Sequence, residues 1–183
     1  MAIKIPSPSM VFNHNLAKLA KYRMDETFNV TDAASIEMHV KKKTENAPFK
    51  SVVLNAHGWP AHVYYGSMAG GEPSAEQGKD AYYTVNWDWI NRISDWRYSN
   101  GDPRVGTIWI TSCDIISFTG PKDGNLFCGY LAKKTGARVI GSNAKQSQGG
   151  ESRHGYIDSY KGDVWIYYKD GSNRAYQPKE EDD

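Results

Sequence analysis

The chain has 183 residues, of which 39% are hydrophobic and 23% are charged, and its formal net charge is only +1. This length suits one domain, over residues 1–183, that buries a sizeable core without disulfides or metals. The near balance of charge gives no reason to expect nucleic acid or a membrane surface as a partner. No apolar run approaches the ~20 residues that span a bilayer.

The chain contains two cysteines, Cys113 and Cys128, which we expect to be free thiols rather than a disulfide. The opening residues Met-Ala-Ile-Lys-Ile-Pro-Ser-Pro lack the apolar segment of a signal peptide. We therefore expect the protein to be made in the cytoplasm. Delivery elsewhere would require a specialised secretion system that reads no such signal.

The predicted elements alternate between strands and helices. The first part of the chain predicts an arm over 1–14, a helix over 15–24, a strand over 27–30, a helix capped by Thr31 or Asp32 that ends near Lys43 with Ile36 and Val40 inward, and a strand over 50–56. The middle predicts strands over 63–65 and 82–85 around a loop at 66–80, a helix from the cap Asn86 to about Tyr98, and a strand over 105–111. The last part predicts a helix with Leu126, Phe127, Tyr130 and Leu131 on one face, a stop at Gly136, a strand over 137–141, a hairpin of 163–168 with 173–176, and an acidic tail over 177–183.

This order of elements predicts an α/β fold. The strand runs are too apolar to have a wet face, which favours a mainly parallel central sheet with helices on both faces. The last two strands are joined at Asp170-Gly171 and would add an antiparallel hairpin.

A histidine and a cysteine each follow a buried-looking strand. His57-Gly58 comes after the strand at 50–56, and Ser112-Cys113 comes after the strand at 105–111. Ligands in such sheets bind outside the carboxyl ends of the strands, so both side chains are expected at one edge. A cysteine attacks carbonyls as a thiolate, and a histidine within reach takes its proton and later protonates the leaving amine.

Gly58 has a separate predicted role. A residue without a Cβ lets a substrate backbone approach closely. Its amide and that of Cys113 are candidate donors for an oxyanion hole.

The arrangement resembles the caspase-like cysteine peptidases, which include caspases, legumains, gingipains, separases and the self-cleaving protease domains of large bacterial toxins. The resemblance covers about residues 48–144 and is closest to the bacterial branch. Its motifs are Asn55-Ala56-His57-Gly58, a hairpin with Gly66, Ile110-Thr111-Ser112-Cys113, a loop with Gly124, Phe127-Cys128-Gly129-Tyr130-Leu131-Ala132 and Thr135-Gly136-Ala137-Arg138-Val139-Ile140-Gly141-Ser142.

The resemblance implies a cysteine endopeptidase with His57 as base, Cys113 as nucleophile and Gly58 beside the oxyanion hole. It implies no metal and no cofactor. Protein or peptide substrates are the expected partners, together with an inhibitor or immunity protein if the chain is a bacterial toxin or effector. The candidate substrate-binding residues are Trp59, Asp114, Ser142 and Asn143. Two of them depart from the family pattern: Trp59 precedes a proline, and Asp114 stands where a small or apolar residue is usual.

Two alternatives remain open at the level of sequence. Cys128 near a helix start, with His154 downstream, follows the order of papain-like hydrolases and peptidoglycan amidases. A catalytically silent α/β binding module would instead use an aromatic groove near Trp59, Tyr64 and Tyr65. The remaining histidines, His14, His39 and His62, have no partners at metal-ligand spacing and are interpreted as surface or loop residues.

Overall fold

We describe the protein from a computed structural model that covers residues 2–15, 21–67, 74–94, 96–119, 123–146, 152–157 and 160–176. Part of the helix predicted over 15–24, part of the loop at 66–80 and the acidic tail lie outside these residues. Residues 22–24, which the prediction placed in that helix, are not helical.

Within the described residues the chain forms short strands and four helices. The strands are β1 (Ile3–Lys4), β2 (Ser9–His14), β3 (Glu26–Val30), β4 (Phe49–Asn55), β5 (His57–Trp59), β6 (His62–Tyr64), β7 (Thr84–Val85), β8 (Val105–Ile110), β9 (Arg138–Ser142), β10 (Tyr156–Ile157), β11 (Val164–Tyr167) and β12 (Asn173–Ala175). The helices are α1 (Ala34–Lys43), α2 (Ala75–Lys79), α3 (Trp87–Arg92) and α4 (Gly124–Thr135).

Seven strands form a central mixed sheet in the order β12-β11-β9-β8-β4-β2-β3. The pairs β2–β3, β2–β4, β4–β8 and β8–β9 are parallel. The pairs β9–β11 and β11–β12 are antiparallel, so the predicted terminal hairpin is present at one edge of the sheet. The α/β class is confirmed.

Strand β2 corrects the prediction of an N-terminal arm. Residues 9–14 are all buried and pair with a parallel strand on each side. The prolines before this segment and the polar residues at its end hid a short apolar run, Met10-Val11-Phe12, that reads as a buried strand.

Helices cover one face of the central sheet. Ile36 of α1, Ile90 of α3 and Leu131 of α4 are at most 1% exposed and belong to one hydrophobic cluster. Phe12 of β2 and Leu54 of β4 belong to this cluster, whereas their neighbours Val11 and Val53 belong to a second one. Alternate residues of a strand point to opposite faces of its sheet.

Segments that are not helical cover the other face, as far as the described residues show. Val11, Val53 and Trp109 form a second cluster there with Ile3 and Ile157, which lie on the two-stranded sheet β1–β10. The buried apolar side chains of α1, α3 and α4 all belong to the first cluster. The prediction of helices on both faces is therefore wrong for the described part of the chain.

The helix ends follow local chemistry. The Asp32 carboxylate accepts a hydrogen bond from the Ser35 amide before α1, and the Asn86 side chain accepts one from the Trp89 amide at the start of α3. Helix α3 ends at Arg92, well before the predicted Tyr98. Helix α4 ends at Gly136, whose φ of 76° is the left-handed conformation that glycine adopts without strain.

The predicted buried face of α4 is partly wrong. Phe127 and Leu131 are buried, but Leu126 is 48% exposed and Tyr130 is 36% exposed. Cys128 and Ala132 fill the buried face in their place. The buried stripe is therefore rotated toward the residues that follow Phe127 and Leu131.

The first turn of α4 packs directly on the segment that follows β8. A Cβ at Gly124 would lie 1.8 Å from the carbonyl oxygen of Ile115 and 2.8 Å from the Cα of Ile116. The Asn125 amide donates to the Ser117 carbonyl at 3.0 Å. The helix thereby fixes the backbone just beyond Cys113.

We expect Gly124→Ala to lower the free energy of unfolding by about 3 kcal/mol, because both neighbouring atoms are backbone and cannot rotate away. The matched control is Gly129→Ala on the same helix, where the nearest atom would lie 3.8 Å from the new Cβ. That control should be neutral or stabilising by up to ~1 kcal/mol, because alanine favours helix more than glycine does. Urea denaturation followed by circular dichroism measures both values, and equal stability of the two variants would contradict the packing described here.

Candidate active site

The candidate site lies at the carboxyl ends of β4 and β8, which are parallel neighbours in the central sheet. Leu54 pairs with Ile110 at the end of the two strands. The Thr111 amide then donates to the Leu54 carbonyl at 3.0 Å, so contact continues past the last paired residues. The chain segments that carry His57 and Cys113 therefore leave the sheet side by side, as the sequence predicted.

Buried polar side chains join three strand ends at this edge. The Thr111 hydroxyl donates to Asn55 Oδ1 at 3.0 Å, and Asn55 Nδ2 donates to Asn13 Oδ1 at 2.7 Å. Asn13 Nδ2 in turn donates to the Tyr22 carbonyl at 2.9 Å. This chain of hydrogen bonds, which we call the asparagine bridge, links the ends of β8, β4 and β2.

Cys113 lies on a loop that is held by the chain on two sides. On one side, the Ala61 amide donates to the Ile115 carbonyl at 3.2 Å. On the other side, the amides of Asp114 and Ile116 donate to the carbonyls of Ala144 and Ser142. Cys113 is partly exposed, whereas Cys128 is buried.

Gly58 touches this loop. A Cβ at Gly58 would lie 2.4 Å from the Cβ of Ser112, 2.9 Å from the His62 carbonyl oxygen and 3.2 Å from the Cys113 carbonyl oxygen. Glycine is therefore required here for close approach of two backbones. The predicted oxyanion-hole residues, Gly58 and Cys113, are brought together by this contact.

His57 begins a small antiparallel sheet, β5-β6-β7, that follows directly from β4. It is partly exposed and pairs with Tyr64 across the hairpin. Its ring lies edge-on to the ring of His14, with 5.8 Å between the ring centroids and an angle of 82° between the planes. The catalytic base predicted from sequence is thus mounted on a strand rather than on a free loop.

The predicted substrate-binding residues occupy different surroundings. Trp59 is partly exposed and stacks on His62 at 4.9 Å between ring centroids. Asp114 is partly exposed and has a φ of 48°, a left-handed conformation that aspartate tolerates better than most residues. Asn143 is exposed and bonded to Asp163.

Ser142 has a structural role in this arrangement. Its side chain is buried, its hydroxyl donates to the Lys161 carbonyl, and it accepts from the Ala144 amide. A hydroxyl that is committed on both sides is not presented to a ligand. The backbone of Ser142 contributes instead, by holding the loop of Cys113 through its bond with Ile116.

The alternative thiol, Cys128, is packed in the core. It is 0% exposed on the buried face of α4, and burial raises its thiol pKa far above the ordinary value. His154 is exposed. A buried, protonated thiol cannot meet a substrate, so nothing in the geometry favours the papain-like pair.

His14 is the residue that the sequence interpretation missed. The sequence predicts a surface or loop position for His14, but its side chain is 2% exposed at the end of β2. The available signal is its position two residues after the apolar run Met10-Val11-Phe12, at the same kind of strand end that carries Asn55 and Thr111. His62 is partly exposed on β6, and burial lowers its pKa.

Two cavities open elsewhere on the described surface. One, of about 460 Å³, is lined by Tyr64, Ser67, Glu76, Gln77, Asp80 and Tyr83. The other, of about 330 Å³, is lined by Trp87, Asn125, Leu126, Gly129, Tyr130, Lys133, Gly171 and Asn173. Neither is lined by His57 or Cys113, although the first shares Tyr64 with the hairpin that carries His57.

Comparison of the chain with models of known protein families, with curated proteins and with solved structures finds no match. Among the described residues, no group of three or more His, Cys, Asp or Glu side chains could hold a metal ion. The described helices are all too short or too polar to cross a membrane.

We expect iodoacetamide to modify the folded protein once, at Cys113, and the unfolded protein twice. The reason is that Cys113 is partly exposed whereas Cys128 is completely buried. Intact-mass spectrometry with and without guanidinium gives the two counts, and Cys128→Ala is the control that should keep the native rate of labelling. Modification of Cys128 in the folded state would contradict the burial described here.

Proposed function

We propose that the protein is a caspase-like cysteine endopeptidase in which Cys113 is the nucleophile and His57 the base. The observation that carries the proposal is the contact of Gly58 with the backbone of Cys113 at the carboxyl ends of two neighbouring parallel strands. A base and a nucleophile that follow such strand ends lie at the edge where α/β sheets bind their ligands.

The proposed reaction begins when His57 takes the proton of the Cys113 thiol. The thiolate sulfur attacks the carbonyl carbon of the scissile peptide and forms a carbon–sulfur bond. The tetrahedral oxyanion collapses, the carbon–nitrogen bond breaks, and the imidazolium of His57 returns its proton to the leaving amine. Water, deprotonated by His57, then attacks the thioester and releases the acid and the thiol.

The oxyanion would form between Gly58 and Cys113. Backbone amides that are fixed before the reaction stabilise developing charge without having to reorient. The tight packing at Gly58 and the two hydrogen bonds that hold the loop on the far side of Cys113 provide such rigidity. Trp59 and Asp114 border this region and are the proposed contacts with the substrate.

A bacterial toxin or effector role belongs to this proposal as its biological setting, with an inhibitor or immunity protein as a partner. The argument for it is the resemblance to toxin-associated protease domains. The proposed substrate class is a protein or peptide.

A silent binding module is the second candidate. The cavity lined by Tyr64, Asp80 and Tyr83 favours it, because it lies on the small sheet and away from Cys113. The aromatic groove predicted for such a module is smaller than expected, since Tyr65 is 0% exposed. Tyr64 is 3% exposed, so Trp59 is the one ring of the three that is partly exposed.

The decisive experiment incubates the protein with a peptide library made from a proteome and identifies new termini by mass spectrometry. We expect Cys113→Ala to abolish cleavage and His57→Ala to lower kcat/KM at least about 10²-fold, because proton transfer by a positioned base contributes that much. Cys128→Ala is the matched control and should cleave at the wild-type rate, since Cys128 only packs in the core.

Cleavage at the wild-type rate by Cys113→Ala would contradict the assignment of Cys113 as the nucleophile. A wild-type protein that cleaves no library peptide and forms no adduct with a peptidyl acyloxymethyl ketone would favour the binding module instead.

A further inference from the structure

His14 stands at the edge of the sheet where the proposed site lies. It is the last residue of β2, one position after Asn13, which pairs with Asn55 of β4. Its side chain is 2% exposed. The proposed reaction makes no use of this buried imidazole, although its ring touches the ring of His57.

Hydrogen bonding fixes the tautomer of His14. Its Nε2 lies 2.9 Å from the carbonyl oxygen of Gly66. A carbonyl oxygen only accepts, so Nε2 carries the hydrogen and donates it. In the neutral ring the proton is therefore on Nε2 and not on Nδ1.

Aromatic packing fixes the plane of the same ring. Tyr65 lies parallel to it, with 6.3 Å between centroids and 7° between planes. Tyr65 is itself immobile, because it is 0% exposed and its hydroxyl donates to the Phe12 carbonyl at 3.2 Å. His14 is thus held by Gly66 at one ring nitrogen and by Tyr65 on one face.

The ring of His14 is also kept neutral. Burial lowers its pKa below the usual value for histidine. The hydrogen bond with Gly66 opposes this effect, and the nearby charges of His57 and Lys21 lower the pKa by smaller amounts. When His57 accepts a proton, a second charge on the adjacent ring would repel it. A neutral His14 adds no such repulsion to an imidazolium at His57.

We propose that His14 is a positioning residue, whose fixed ring holds the imidazole of His57 in one orientation at the edge of the proposed site. The assignment of His57 as the base rests on the function proposed above. The contact between the two rings is observed independently of that function. The contact is edge-on, and such pairs prefer one geometry over others. A base that is displaced by about 1 Å can cost roughly 10²-fold in rate, so fixing its orientation matters for catalysis.

The test is His14→Gln, observed by NMR of the histidine ring nitrogens in uniformly labelled protein. The glutamine amide can still donate to Gly66 but offers no ring to His57, so the fold keeps its buried hydrogen bond. We expect the wild-type spectrum to show His14 as the neutral Nε2–H tautomer at pH 7, with a nuclear Overhauser contact between its ring and that of His57. In His14→Gln the ring nitrogen shifts of His57 should move toward the average of two tautomers.

The matched control is His62→Asn, in the β5–β6 hairpin that also carries His57. His62 Nδ1 bonds to the Pro60 carbonyl at 2.7 Å and its ring stacks on Trp59 rather than on His57. Asparagine can keep that donor while removing the ring. The spectrum of His57 should be unchanged in this variant.

Kinetics separate the two proposals. With any peptide that the wild type cleaves, His14→Gln should lower kcat about 10-fold and change KM less than about 2-fold, because orientation acts on the chemical step. Unchanged His57 shifts and unchanged kcat in His14→Gln would overturn the positioning role while leaving the peptidase intact. An Nδ1–H tautomer of His14 in the wild type would overturn it even if the variant did not fold. An inactive wild type that still shows the predicted shifts would overturn only the peptidase.

Discussion

The asparagine bridge connects three strands that are distant in sequence. The side chains of Asn13, Asn55 and Thr111 are all buried, so each must find its hydrogen-bond partners inside the protein. They find them in one another, and the side-chain amide of Asn13 finds a further one in the backbone of Tyr22. Leaving one such buried group without a partner costs about 1–3 kcal/mol, which makes the relative position of the three strand ends hard to change.

This constraint determines where the side chains of the candidate site can lie. One residue beyond Asn13 is His14, two beyond Asn55 is His57, and two beyond Thr111 is Cys113. Each of the three bridge residues is therefore followed within two positions by a residue of the proposed site. The close approach of Gly58 to Ser112 and the packing of Gly124 on Ile115 then hold the loop of Cys113 at two places. The supports of the candidate site are therefore buried side-chain hydrogen bonds together with two close approaches, at Gly58 and Gly124, that leave no room for a Cβ.

The sequence predicted the parts of this architecture that depend on local pattern. Strands β4 and β8 contain the apolar runs Val52-Val53-Leu54 and Ile108-Trp109-Ile110, Asp32 precedes α1, and Gly136 follows α4. Strand β2 was missed because its last two residues are Asn13 and His14, which read as loop residues unless their partners on other strands are known. The exposure of Leu126 and Tyr130 could not be predicted from the sequence. An apolar residue at the edge of the buried face of a helix can point either to the core or to solvent. The meeting of Gly58 with Cys113 followed from the two strand ends, whereas the ring contact of His14 with His57 depends on strand order, which no local pattern specifies.

The parallel pairing of β4 with β8 has a consequence for how the molecule acquires activity. Two parallel strands cannot be joined by a tight turn, and here the small sheet β5-β6-β7 and the helices α2 and α3 separate them in the chain. Contacts between residues so far apart in sequence form only after a long loop has closed, which is a slow step in folding. A nascent or partly folded chain therefore carries the thiol and the imidazole on separate, unassembled segments. Proteolytic activity, on the function proposed above, would appear only with the completed central sheet, so the ribosome and the unfinished chain would not be exposed to it.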